Sequence, residues 1–130
     1  MSDPKQRYFI AEQGRTLKHW FAIRNPLTSA VYNLATEGYT VGSLQVRDAT
    51  VDDGGLLLLD RSTANGGVNL TYIANDGAGK SWSGYIYASA STMNTAPWVD
   101  AVYEFILTHS GGDIGVVSRG PAMLIPKVAN

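Results

Sequence analysis

The sequence predicts an all-β fold, an antiparallel β-sandwich of about seven to nine short strands. Three observations predict it. Short apolar-rich runs, several of them alternating with period two, are separated by glycine-rich turn signals about every ten residues. Fourteen glycines, seven tyrosines and three tryptophans, with few lysines and glutamates, suit strands and turns better than helices. The last third, Trp98–Val128, reads as two strands joined by Ser110-Gly111-Gly112-Asp113 and a third beyond Arg119-Gly120-Pro121.

The elements follow in order. Residues 1–6 read as a flexible end and Arg7–Ala11 as a short strand, so residues 1–13 are expected to form an N-terminal arm. The sandwich domain is expected over 14–130. Thr16–Arg24 puts Leu17, His19, Phe21 and Ile23 on one face and Lys18, Trp20, Ala22 and Arg24 on the other, and Asn25-Pro26 ends it. Tyr39–Arg47 points Leu44 and Val46 inward and Gln45 and Arg47 outward. Asp52-Asp53-Gly54-Gly55 is a turn. Leu56–Leu59 lacks periodicity, and its brevity and glycine-rich entry favour a buried strand over a helix.

Asn65-Gly66-Gly67 turns into an alternating Val68–Ile73 strand, and Asn75-Asp76-Gly77 turns again. Trp82–Ala88 is a strand with Tyr85 and Tyr87 on one side, expected in the core with Tyr103 and Phe105. Ala88–Pro97 is small and polar and reads as a loop with one helical turn. Ala101–Thr108 sets Tyr103, Phe105 and Leu107 opposite Val102, Glu104 and Ile106. Ile114–Ser118 and Ala122–Lys127 complete the set. The spacing fits an immunoglobulin-like sandwich or a small barrel. No internal repeat or linker divides the chain.

Composition narrows the function classes. A chain of 130 residues buries about two-thirds of its surface and needs no staple. It has no cysteine, which excludes disulfides and thiol chemistry, and two histidines, which disfavours a histidine-rich metal site. A net charge of −1 argues against nucleic acid as the main partner. The charge is uneven. Lys5, Arg7, Arg15, Lys18 and Arg24 outnumber the acids of residues 1–24, while Glu37, Asp48, Asp52, Asp53 and Asp60 outnumber the bases of 25–65. The N-terminal arm could therefore dock on an acidic neighbour, including another copy of the chain. There is no apolar run long enough for a signal peptide or a membrane helix, so a cytoplasmic origin is expected and no membrane partner.

Catalytic and ligand motifs are weak. Gly77-Ala78-Gly79-Lys80-Ser81 shares the Gly-Lys-Ser of a phosphate-binding loop, but position 74 is alanine and the following segment reads as a strand. No G-x-S-x-G elbow occurs, and His109 sits beside turn glycines. Asp52 and Asp53 are adjacent, so their carboxylates point apart and suit a solvated turn better than a cation. No catalytic, cofactor-binding or metal-binding residue is expected, and no cofactor.

Read together, Gly14–Ile23, the strand Leu44–Ala49, the leucine-rich Leu56–Asp60, Gly67–Leu70 and the closing Val102–Val128 form a familiar order. The chain resembles the small immunoglobulin-like proteins and modules of tailed bacteriophage virions, and is similar to the amino-terminal domain of baseplate upper proteins. The resemblance spans 14–128. It departs at Arg15, where the family opening has Asp, at the longer segment Asn25–Gly38, and at Tyr103-Glu104-Phe105 in place of Tyr-Asp-Leu. It implies a non-enzymatic structural protein of the virion, assembled in the host cytoplasm, in a tail tip or baseplate. Its partners would be other virion proteins and further copies of itself. A capsid decoration or cement protein is the first alternative. A carbohydrate- or receptor-binding module, with Trp20, Trp98 and the tyrosines as stacking platforms, is the second.

Five residues stand out as contact candidates. Tyr8, Phe9 and Ile10 put three large apolar side chains near a chain end, where they must join a sheet or dock on a partner. Trp20 lies on the less apolar face of its strand, and Trp98 follows a loop, so each either packs beneath a loop or meets another chain.

Overall fold

Period-two alternation dictates which side chains meet, and the computed structural model builds two sheets from it. It describes residues 5–6, 8–48, 56–95, 98 and 100–127. Among these, nine strands follow in order: β1 (Lys5–Gln6), β2 (Phe9–Glu12), β3 (Leu17–Phe21), β4 (Tyr39–Asp48), β5 (Leu57–Ser62), β6 (Val68–Asn69), β7 (Gly84–Ala88), β8 (Ala101–His109) and β9 (Ile114–Ile125). The larger sheet runs β1-β9-β8-β4-β5, with β2 also on β9, and the smaller runs β3-β7-β6. The chain is an all-β sandwich, and this strand order is that of an immunoglobulin-like fold.

The core forms where the inner faces meet. Leu44 and Val46 of β4, with Tyr103, Phe105 and Leu107 of β8, pack opposite Ile86 and Ala88 of β7 and Val68 of β6. Phe21 of β3 and Phe105 of β8 meet edge-on with 4.9 Å between ring centroids. These two strands are the ones antibody domains join by a disulfide, so here an aromatic pair supplies the cross-sheet contact in a chain without cysteine. Gly84 is required by this packing. A Cβ there would lie 2.2 Å from the Asn69 carbonyl oxygen, closer than any side chain allows.

Several elements differ from the sequence expectation, each for a physical reason. The sheet is mixed: β1 and β2 pair parallel with β9, Lys5 opposite Ser118 and Phe9 opposite Ala122. Phe9–Glu12, expected within an N-terminal arm, thereby lies in the larger sheet. Residues 114–125 form one strand where two were expected. Pro121 lies inside this strand, opposite Val102 of β8 and between the positions of β9 that pair with β1 and with β2. Leu57–Ser62 is an edge strand rather than a buried one, and of its leucines Leu59 alone is fully buried while Leu56 just before it is exposed. The expected Val68–Ile73 strand shortens to two residues plus an isolated bridge from Ile73 to Trp82. Tyr85 and Tyr87 lie on the outer face, because Gly84, Ile86 and Ala88 take the inner positions of β7.

The connections carry polar ties. Ser83, fully buried, accepts the Ile23 N–H at 3.0 Å and donates to the Tyr32 carbonyl at 2.9 Å. It thus fastens the long 24–38 segment to the head of β7. In the expected helical turn after β7, the Met93 N–H donates to the Ser89 carbonyl at 3.0 Å, and the turn drives Met93 into the core. The β8–β9 turn closes through Gly112, whose φ of 95° suits glycine. The Asp52-Asp53 turn lies outside the described residues.

Candidate functional sites on the two outer faces

Each sheet leaves its outer face open to solvent, and the two faces carry different chemistry. On the larger sheet, Phe9 and Ala11 of β2 and Ala122 and Leu124 of β9 point inward. Alternation therefore turns Ile10, Met123 and Ile125 outward. Ile10 and Met123 are register neighbours, and they stay 55% and 52% exposed. Val102 of β8 lies opposite Pro121 and is also exposed, and Tyr8, 72% exposed, precedes β2. The result is an aliphatic strip across three adjacent strands. Further along the same face, Gln45, Glu104 and Arg119 occupy one cross-strand row and give the strip a polar border.

On the smaller sheet the outward positions are Lys18 and Trp20 of β3, Tyr85 and Tyr87 of β7, and Asn69 of β6. Register sets Trp20 beside Tyr85 and Tyr85 beside Asn69, and Lys18 beside Tyr87. The rings of Trp20 and Tyr85 lie 4.7 Å apart, and Trp82 sits 6.4 Å from Trp20. The Lys18 ammonium lies over both the Trp20 and Tyr85 rings, at 5.3 and 4.7 Å from their centroids. Each cation–ring contact stabilises by about 0.5–1 kcal/mol at an exposed site.

The 75–80 loop borders this face. Asn75 Oδ1 accepts from the N–H groups of Gly77 and Gly79, and Asp76 Oδ1 from those of Ala78 and Lys80. Asp76 Oδ2 accepts from the Trp82 indole N–H at 2.9 Å. These bonds, the Trp82 one foremost, hold the Asp76 carboxyl below the usual aspartate range. The glycines that resemble a phosphate-binding loop thus direct their N–H groups at the chain's own side chains, with a carboxylate where a phosphate would sit.

The five contact candidates divide. Tyr8 and Ile10 lie on the aliphatic strip, and Trp20 lies at the centre of the aromatic face. Phe9 and Trp98 are core, 5% and 6% exposed, so neither is a surface contact. Phe9 fills the space between Tyr103, at 5.5 Å, and Trp98, at 6.4 Å, which is why it cannot turn outward. Sequence reading missed Met123, Ile125 and Val102 as companions of Ile10. The parallel pairing of two distant segments brings them together, and no local pattern signals it.

The histidines hold structure. His109 Nδ1 accepts from the Gly111 N–H at 3.0 Å, which leaves Nε2 to donate to the Glu37 carbonyl at 3.1 Å. His19 stands edge-on to Phe9 at 6.4 Å, and partial burial pushes its pKa below the ordinary histidine value. Among the described residues no three His, Cys, Asp or Glu side chains gather as a metal site. No helix of the described residues is long and apolar enough to cross a membrane. No protein-family model and no curated protein matches the chain.

Proposed function

We propose that this sandwich is a non-enzymatic structural component of a tailed phage particle, seated in the tail tip or baseplate, that acts through subunit–subunit contacts. The aliphatic strip of Ile10, Met123, Ile125 and Val102 is the observation that carries the reading. Branched and flexible apolar side chains clustered on one sheet face, with a polar border, are the makings of a protein–protein contact. Repetition of identical copies in a particle multiplies a modest contact into a stable one. The resemblance of the strand sequence to virion modules supports the placement.

The test is antibody-gold labelling of purified particles, imaged by electron microscopy. Gold at the tail tip supports the reading. Gold over the head replaces it with a capsid decoration or cement role. Absence of gold from intact particles, with the protein present in infected cells, overturns both.

A further inference from the structure

We propose that the outer face of the β3-β7-β6 sheet binds a carboxylate-bearing glycan, with Lys18 as the anion-binding group and Trp20, Tyr85 and Tyr87 as the stacking platform. The site needs no virion neighbour, so it stands apart from the structural role.

Charge identifies the ligand class. Lys18 has no carboxylate within 4 Å among the described residues, and its exposed ammonium is held over two rings. It is a positioned cation without a counterion. Asp76, the acid at the Trp82 end, is engaged by two backbone N–H groups and the indole, and Lys80 offsets its charge. An anion arriving at this face therefore meets Lys18 first and little opposing charge. Holding the ammonium in place beforehand reduces the ordering that binding requires.

Shape identifies the rest. Tyr and Trp rings present an apolar face and a polar tip, which matches a sugar ring with its C–H face and hydroxyl rim. Polar side chains interrupt the rings at neighbouring register positions, with Lys18 beside Tyr87 and Asn69 beside Tyr85. A protein partner calls for a more continuous apolar area, as on the other sheet. A nucleic acid calls for several cations along a backbone, and here one lysine faces out on a chain of net charge −1.

The test titrates the full chain with tetragalacturonate, following tryptophan fluorescence and calorimetry. Neutral maltotetraose and a twelve-residue oligothymidylate serve as comparators. We expect saturable binding of the acidic sugar, about tenfold or more tighter than of maltotetraose. Lys18→Gln should lose about fivefold or more of the acidic-sugar affinity and keep the weak neutral binding. Tyr87→Ala, a change at an exposed ring, should weaken both sugars. Absence of saturable binding overturns the proposal, and so does equal affinity for the two sugars. Wild-type affinity in Lys18→Gln also overturns it. Tighter binding of the oligothymidylate would replace the sugar with a nucleic acid.

Discussion

The outer faces of the two sheets obey the same alternation and end in opposite conditions. On the smaller sheet, Trp20 contacts both Trp82 and Tyr85, and the Lys18 ammonium lies over the Trp20 and Tyr85 rings, so the face is half-buried by its own side chains. On the larger sheet, Ile10, Met123 and Ile125 remain open to solvent. Aromatic side chains satisfy an exposed sheet face from within, through ring edges and cations. Aliphatic side chains gain only from removal of water, which at this surface requires another molecule.

Four changes break or sharpen that contrast, and the largest effect is expected just beneath the aliphatic strip. Phe9→Ala should cost about 3–5 kcal/mol in urea unfolding, because it opens a cavity between Tyr103 and Trp98. A cost below about 1 kcal/mol would mean that β2 adds little to the core. Trp20→Ala should cost about 1–2 kcal/mol, since the half-buried ring loses its contacts with Tyr85, Trp82 and Lys18. An unchanged unfolding midpoint would contradict the claim that this face stabilises itself.

Asp76 sets the pH response of the same face. Its folded pKa is lowered, so its contribution is complete above the ordinary value of 3.8 and is lost as pH falls through the folded pKa. Tryptophan emission should therefore change with a midpoint below 3.8, and Asp76→Ala should remove that step. A step that survives in Asp76→Ala would assign it to another group. The smallest stability effect belongs to Ile10→Ser, about 0.5 kcal/mol or less, because the side chain already meets solvent. The same variant should be incorporated poorly into particles, and normal incorporation would remove the strip from the contact.

Much of the fold was legible in the sequence. Alternation in β4 and β8 assigned Leu44, Val46, Tyr103, Phe105 and Leu107 to the core, and the Ser-Gly-Gly-Asp turn located the last hairpin. The facing of Trp20 was legible for the same reason. Long-range pairing was not. Parallel addition of β2 to β9 decided that Phe9 is core while Ile10 is surface, and no local signal states a pairing across more than a hundred residues. In β7 two tyrosines outranked Ile86 and Ala88 in bulk, yet the smaller pair faces inward, in phase with Gly84, whose place between Phe21 and the Asn69 carbonyl of the neighbouring strands admits no side chain. Pro121 looked like a strand end because proline has no N–H to give a ladder, yet it lies inside β9 opposite Val102.

The parallel β2–β9 pair also fixes how the domain carries mechanical load. The chain enters β2 at the end where β9 begins and leaves β9 at the end where β2 stops. Tension applied through the flanking chain therefore slides the two strands along each other. The four register pairs from Phe9–Ala122 to Glu12–Ile125 bear it together, and Gln13 adds two further ties, to the Ile125 carbonyl and the Lys127 N–H. Peeling would break such bonds one at a time, whereas sliding must break them at once, so forced opening is governed by a single high barrier. The edge that looks from sequence like a loose arm is the clasp that a pulled chain must shear before the core is exposed.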